Sequence, residues 1–414
     1  MMVQRGLTAG VRAGTGLAGA VLLFATACSG GGDDGAGGTT VGGKNEPNAP
    51  QVTITPGNGF GKAKPEEGVQ VKVANGALEQ VTVTRKGKPV EGQLSPDKTS
   101  WKSRTLRPSS DYEVSVVAKN PQGKTTAATS KFKTLKPAAE LTVADITPTK
   151  GEKVGVGMPI IVTFNRGVDD RKAVEQALGI KSTKPVVGAW YWVSDSQVIF
   201  RTKNGTYWKP NQKVTLTAKL AGIKAGKKTY GVSDVSHGFR IGNEHITTVS
   251  TKTKKATFKV NGKVVKRSGV SAGKGGRVRN GVDTYLTTSG VHLTMSKHLV
   301  ERMTSAWMGV TDKKDPDYYD LKLPHAVRIS SSGEYLHASP DRYWAFGRTN
   351  ASHGCVNLPP PVAQWFYNLS YRGDPVIVTG SKRGLDPFNG WSFYAMSWSR
   401  WVKGSALDRT VTTG

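Results

Sequence analysis

Short runs that alternate apolar and polar positions dominate the first half of the chain. Val52 and Ile54, then Val69, Val71 and Val73, then Val81 and Val83, then Tyr112, Val114 and Val116 recur at a spacing of two, with Gly, Pro and Asn clusters between them. Side chains two apart share one face of an extended strand, so this stretch predicts an antiparallel sandwich over 51–136. After Leu135-Lys136-Pro137 the alternation resumes at Ile161 and Phe164, Trp190 and Trp192, Val198 and Phe200, and Val214, Leu216 and Ala218, predicting a second all-β unit over 137–245. Asp169 and Asp170 stand where they can cap one short helix over 173–178. Further on, Met295, Leu299, Val300 and Met303 read as inward positions of a short helix or turn, and Pro359 to Pro361 open a helix that places Trp365, Phe366 and Leu369 toward a core. Val376-Ile377-Val378 reads as a buried closing strand. Residues 381–414, with Trp391, Trp398 and Trp401, are expected to wrap the domain before them as a C-terminal cap.

Leu106-x-Pro108-x-x-x-Tyr112 has the spacing of a tyrosine corner, in which a tyrosine hydroxyl bonds back to backbone a few residues upstream at a sandwich edge. Both β-units are therefore expected to be immunoglobulin-like. The fold class predicted is mainly β, two tandem sandwiches followed by a β-rich domain over 246–380 with a few short helices. His237 and His245 are expected at the surface or at a hinge.

The N-terminus follows another logic. Arg5 and Arg12 precede a short apolar stretch from Gly16 to Ala27, less than the roughly 20 residues that span a bilayer, and Ala25-Thr26-Ala27-Cys28 resembles a lipoprotein signal ending in its lipidated cysteine. Residues 1–28 are accordingly expected to export the chain and anchor it to the membrane through Cys28. Cleavage nearby by an ordinary signal peptidase is the alternative. The glycine-rich stretch 29–50 lacks apolar periodicity and reads as a flexible tether. Two cysteines in an exported chain suggest a disulfide, but lipid on Cys28 leaves Cys355 as a free thiol.

Cys355 sits in Ser352-His353-Gly354-Cys355-Val356-Asn357. If that segment is extended, His353 and Cys355 point the same way. The imidazole then takes the thiol proton, and the thiolate attacks an acyl carbon. Gly354 keeps the approach open, and backbone N–H groups around the Gly-Cys pair are candidate oxyanion donors. A buried, inert cysteine is the plain alternative. A metal site built from Cys355, His353 and either His337 or His325 is another, though His-x-Cys is not a usual chelate spacing and a second soft ligand is missing. No metal and no cofactor are expected.

Eighteen residues upstream lies Tyr335-Leu336-His337-Ala338, and the run from Ser332-Gly333 to Asn357 resembles the catalytic signature of the L,D-transpeptidase family, the YkuD-type domain. The resemblance extends from about Thr247 to the C-terminus, through Val270-Ser271-x-Gly273-Lys274 and Ala363-Gln364-Trp365-Phe366-Tyr367. It departs at Arg277-Val278-Arg279-Asn280-Gly281, read as altered turn chemistry remote from the thiol. The resemblance implies that Cys355 is the nucleophile, His353 its general base, the Ala338 carbonyl the group that orients His353, and His337 a second active-site imidazole. It further implies that Ser332, Gly333, Ser352, Tyr319 and Asn357 contact substrate or hold the loop. Met303, Trp307 and Tyr319, the last preferred to Tyr318, become lid and channel residues. The implied reaction is attack on a peptidoglycan tetrapeptide stem, loss of D-alanine, and transfer of the thioester to a side-chain amine of a neighbouring stem, a 3→3 cross-link of cell wall biogenesis. Carbapenem-type β-lactams would acylate the same thiol. An L,D-carboxypeptidase, attachment of a protein to peptidoglycan, and a non-catalytic wall-binding lipoprotein remain open beside it.

Charge adds one feature. The formal net charge is +28, and between Glu244 and Asp283 there are ten Lys or Arg residues and no acid. A solvated face explains this, as does attraction to anionic wall polymers or lipid headgroups. No nucleic-acid motif accompanies it, and nucleic acid is not an expected partner.

Overall fold

The computed structural model describes residues 37–42 and 48–414, and of Trp307 and Met308 the backbone alone. Cys28 and the leader lie outside those residues, as does part of the stretch read as a tether. Within that stretch Thr39–Val41 is a strand, paired antiparallel with Gln51–Thr55, so the first sandwich begins earlier than composition suggests.

The first unit packs the sheet containing Gln51–Thr55, Gln70–Ala74 and Ser100–Ser103 against the sheet containing Ala77–Arg85, Asp111–Lys119 and Thr125–Lys133. Its core is the alternating set, with Val52, Ile54, Val69, Val71, Val114 and Val116 all buried. The Tyr112 hydroxyl accepts the Arg107 N–H at 2.7 Å and its ring stacks on Phe132 at 5.4 Å, which is the tyrosine corner.

In the second unit the sheet of Val143–Thr147, Ile160–Phe164, Gln197–Thr202 and Val187–Trp192 faces a sheet built on Val235–Ile241, Gln212–Ala218 and Leu178–Ser182. The short helix is Arg171–Gln176, and Asp170 caps it by accepting the Ala173 N–H at 2.9 Å. The last strand of the first of these sheets comes from the far end of the chain, where Val411–Thr412 pairs with Val187 and Gly188.

That pairing corrects one expectation. Only the first part of the C-terminal segment lies on the domain before it, through Arg383, Leu385 and Asn389; the rest crosses back onto the second sandwich. Trp401 is fully buried there, donating Nε1–H to the Ala189 carbonyl at 2.9 Å and stacking on Tyr191 at 4.7 Å. The buried Arg201 guanidinium lies 4.5 Å from the Trp401 ring and donates to the Met396 carbonyl at 3.0 Å. Three large aromatic side chains need an apolar partner, and the outer face of the Val187–Trp192 and Gln197–Thr202 strands supplies one through Ala189 and Ile199.

The third domain holds two sheets. One orders Lys263–Gly269, Lys255–Val260, His245–Ser250, Pro375–Thr379 and Gly290–Leu293; the other orders Lys297–Thr304, Asp320–Arg328, Tyr335–Ala338 and Val356–Leu358. The helix Pro360–Leu369 packs between them, with Trp365 and Phe366 against Phe258. The stretch expected as a short helix or turn is instead two strands, Gly290–Leu293 and Lys297–Thr304, followed by a 3-10 turn. Leu299 and Val300 are exposed rather than inward. Pro375–Thr379 pairs with Gly290–Leu293, and a hairpin partner, Asp320–Arg328, pairs with Lys297–Thr304, whose end the Arg302–Asp320 ion pair at 2.8 Å ties.

The second and third domains meet at the Arg372-Gly373-Asp374 turn, whose carbonyls at Arg372 and Gly373 accept N–H groups from Gly155 and Gly157 at 2.7 and 2.9 Å. His245 is not a surface residue. It is buried at this junction, with Nδ1 3.0 Å from Asp374 Oδ2 and its ring on Tyr371.

Trp401→Ala removes the aromatic centre of the C-terminal cap and should cost about 3–5 kcal/mol. Chemical denaturation monitored by the tryptophans of the second sandwich should show the loss, with the third domain's transition little changed.

Candidate active site

The site is built where two segments far apart in sequence become neighbours. Tyr335–Ala338 pairs in parallel with Val356–Leu358, and the register sets His337 opposite Asn357. Asn357 is locked from its other side by backbone bonds to Ser271 at 2.8 and 3.1 Å. Cys355 ends the loop that enters this strand.

The loop is not extended, which corrects the argument from alternation. Residues 353–355 form a bend, and Gly354 has φ of +131°, a conformation that L side chains rarely adopt. A Cβ there would meet nothing closer than 4.0 Å, so the glycine answers a backbone requirement rather than crowding. Ser352 Oγ accepts the Gly354 N–H at 3.2 Å and donates to the Cys355 carbonyl at 2.5 Å. Thr287 Oγ1 donates to the Gly354 carbonyl at 2.7 Å and accepts the Gly273 N–H at 2.8 Å. The Gly354 N–H is thus committed to Ser352 and is not an oxyanion donor in this state.

Cys355 is a free thiol, half-buried on the floor of a groove of about 490 Å³. Its Sγ lies 3.6 Å from the Gly333 carbonyl and 4.0 Å from Met303 Sδ. Burial pushes the thiol up to about 12, although a hydrogen bond from the Tyr335 backbone N–H works the other way. The resting sulfur is protonated.

Both imidazoles are neutral as well. Burial brings His353 down to about 4, with Lys274 and Arg342 adding repulsion. Burial likewise brings His337 to about 4. His337 Nδ1 is 2.9 Å from the Ala338 carbonyl, and since a carbonyl only accepts, Nδ1 carries the proton and Nε2 does not. This corrects a second expectation, because the Ala338 carbonyl serves His337 and not His353. The His353 ring instead lies between two tyrosines. It stacks on Tyr319 at 5.0 Å with 7° between the planes, and Tyr285 meets it at 4.6 Å and 64°.

Tyr285 overturns a third expectation. The departure after Lys274 is not remote from the thiol: the chain turns at Asn280-Gly281 and returns to place Tyr285 on His353 and Thr287 on Gly354. Of the residues singled out by sequence, Met303, Tyr319, Ser332, Gly333, His337, Ser352, His353, Cys355 and Asn357 line the groove, Gly354 lies behind it, and Ala338 is in the core. Sequence reasoning missed Arg342 and Tyr335, which also line it, and Asn389, which holds Ser332 by accepting its N–H and donating to its Oγ, both at 2.8 Å. No local pattern marks Asn389, which lies 57 residues from its partner.

Comparison with known proteins identifies two family matches along the chain. Residues 61–224 match the bacterial Ig domain family and residues 244–378 the L,D-transpeptidase catalytic domain family. L,D-transpeptidase 2 of Mycobacterium tuberculosis is 34% identical over 363 residues, covering 86% of this chain and 85% of that protein. L,D-transpeptidase 5 of the same species is 30% identical over 88% of this chain and 79% of its own length. Among solved structures, L,D-transpeptidase 3 from Mycobacterium tuberculosis in complex with a faropenem-derived adduct is 29% identical, covering 58% of this chain and 98% of that one, with a TM-score of 0.47. A bent Ser-His-Gly-Cys loop beside a buried histidine, on a chain of this similarity along most of its length, makes this protein a member of the L,D-transpeptidase family, with a bacterial Ig domain preceding its catalytic domain.

Proposed function

We propose that Cys355 performs peptidoglycan transpeptidation through a thioester and forms 3→3 cross-links. The observation that carries this reading is the free Cys355 thiol at the floor of a groove shared with two neutral imidazoles. His353 takes the thiol proton as Sγ bonds to the carbonyl carbon of the diamino acid in a tetrapeptide stem. The same proton then goes to the departing D-alanine nitrogen as the amide bond breaks. A side-chain amine of a second stem attacks the thioester carbon, the C–S bond breaks, and the proton the amine loses passes through His337 to the departing sulfur. His337 keeps an unprotonated Nε2 for the acceptor's proton. We place the enzyme outside the cytoplasm, anchored through lipid on Cys28 and facing the wall, as the leader sequence suggests.

The basic run supports a second contact. On the outer face of the sheet, Thr248, Thr257 and Arg267 form one transverse row and Ser250, Lys255 and Gly269 another, lining a cleft of about 620 Å³. Among the described residues no carboxylate pairs with Lys255 or Arg267. Two unpaired cations among hydroxyls suit an anionic wall polymer.

A carbapenem, whose strained amide a thiolate opens, tests the nucleophile. Intact mass should show one adduct, absent from Cys355→Ala; no adduct on a thiol shown to be free would defeat the reading. Because His353 becomes protonated only as pH falls through about 4, the acylation rate should stay level from about one unit above that value up through neutrality. A fall in rate centred near pH 6.5 would show an unshifted imidazole instead. Joint replacement of Lys255 and Arg267 by Gln should weaken retention on anionic wall polymer, as should about 1 M salt, where the Debye length is about 3 Å. Muropeptide products should be unaffected by that pair of changes.

A further inference from the structure

One buried carboxylate beside the nucleophile's loop has no part in the reaction described above. Glu334 is 3% exposed, and a Cβ on Gly354 would stand 4.0 Å from its Cγ. The Thr288 N–H donates to its Oε1 at 2.7 Å, and the Thr288 hydroxyl is shared between its two oxygens at 2.8 and 3.0 Å. Both partners are donors, which suits an ionised acid, since that group only accepts. Among the described residues no cationic side chain pairs with it. Enclosing a charge without an ion partner costs stability, so its place calls for a role.

Its position along the backbone supplies one. The Cys355 sulfur meets two peptide groups, the Gly333 carbonyl at 3.6 Å and the Tyr335 N–H, and Glu334 is the residue between them. Glu334 is fixed at three points: its N–H donates to Ser330 Oγ at 3.0 Å, its carbonyl accepts the Ile329 N–H at 2.9 Å, and its side chain is tied to Thr288. Thr288 is braced in turn by the buried His292, whose Nε2 lies 3.0 Å from the Thr288 carbonyl and whose Nδ1 lies 3.3 Å from the Ile329 carbonyl. The neighbouring Thr287 donates to the Gly354 carbonyl. One short stretch of chain therefore grips both the loop that carries Cys355 and the segment that its sulfur faces.

We propose that Glu334 is a positioning residue of Cys355, its carboxylate anchoring on Thr288 the two peptide groups that meet the sulfur and setting a negative charge against the thiolate form. Like charges repel more strongly where burial keeps water away from them. Burial comes first among the causes that raise the thiol, and the Glu334 charge adds to it. The other charged groups of the site, Lys274, Arg342, Asp317 and Arg277, bear on His353.

This inference rests on Cys355 as the nucleophile of the function proposed above, and two reagents separate their failures. In the full-length protein, iodoacetamide alkylation is followed at the Cys355 peptide by mass spectrometry across pH, since that reagent needs only a thiolate. Glu334→Gln keeps the shape and an acceptor for the Thr288 N–H while removing the charge. Its rate profile should move to lower pH by about one unit, and its rate at a given pH below the inflection should rise about threefold, the gain in thiolate being partly offset by a weaker nucleophile. Thr288→Val keeps the carboxylate but takes away its hydroxyl donor, so the charge is less shielded and the rate should stay at or below the parent's. A merely loosened loop would expose the thiol and quicken both variants. An unshifted profile in Glu334→Gln, or acceleration of both variants, would overturn the proposal. A parent that iodoacetamide alkylates and a carbapenem never acylates would defeat the cysteine mechanism instead, and a shifted Glu334→Gln profile would still uphold the positioning.

Discussion

The parallel pairing of Tyr335–Ala338 with Val356–Leu358 is the constraint on which the site depends. Parallel strands cannot be joined by a tight turn, so the chain must travel some distance before it returns. It does so through residues 339–355, and that excursion furnishes both the Arg342 wall of the groove and the bent Ser-His-Gly-Cys loop. The register then does the rest. With His337 opposite Asn357, Cys355, two residues before Asn357, arrives beside Tyr335 and Gly333, whose N–H and carbonyl respectively meet its sulfur.

Burial sets the electrostatic state of the resting enzyme. A thiol raised to about 12 and imidazoles lowered to about 4 are all uncharged, so the site stores no thiolate–imidazolium pair. Lys274 and Arg342 near His353 reinforce the neutral base. In this resting state the thiol faces the Gly333 carbonyl, 3.6 Å away.

Around this centre the C-terminal segment acts as a tie. Asn389 fixes Ser332 and Arg383 fixes the backbone on both sides of Tyr285, while Trp401 and Val411–Thr412 belong to the second sandwich. Together with the Arg372–Asp374 turn docked on Gly155 and Gly157, this joins the catalytic domain to its neighbour by contacts at two places in the chain. The sandwich is thereby part of the support of the site.

Period-two patterning was enough to predict part of each sandwich, such as Gln51–Thr55, Asp111–Lys119 and Gln212–Ala218, because one face of each strand must be apolar whatever its partner, but it did not mark Thr125–Lys133 or Leu178–Ser182; the tyrosine corner and Asp170 cap are local chemistry. Cys355, His353 and His337 stood out for their residue types and spacing, which a family signature makes specific. The strand Lys297–Thr304 was not legible, since a hairpin strand whose side chains are largely exposed has no apolar period to display. Nor could sequence show that 353–355 bends, that Ala338 serves His337, or that Tyr285 reaches His353 from 68 residues away. Sequence by itself determined which groups can react and which faces must be buried; their aim came only from long-range pairing and packing, where distant segments compete for the same carbonyl or the same ring face.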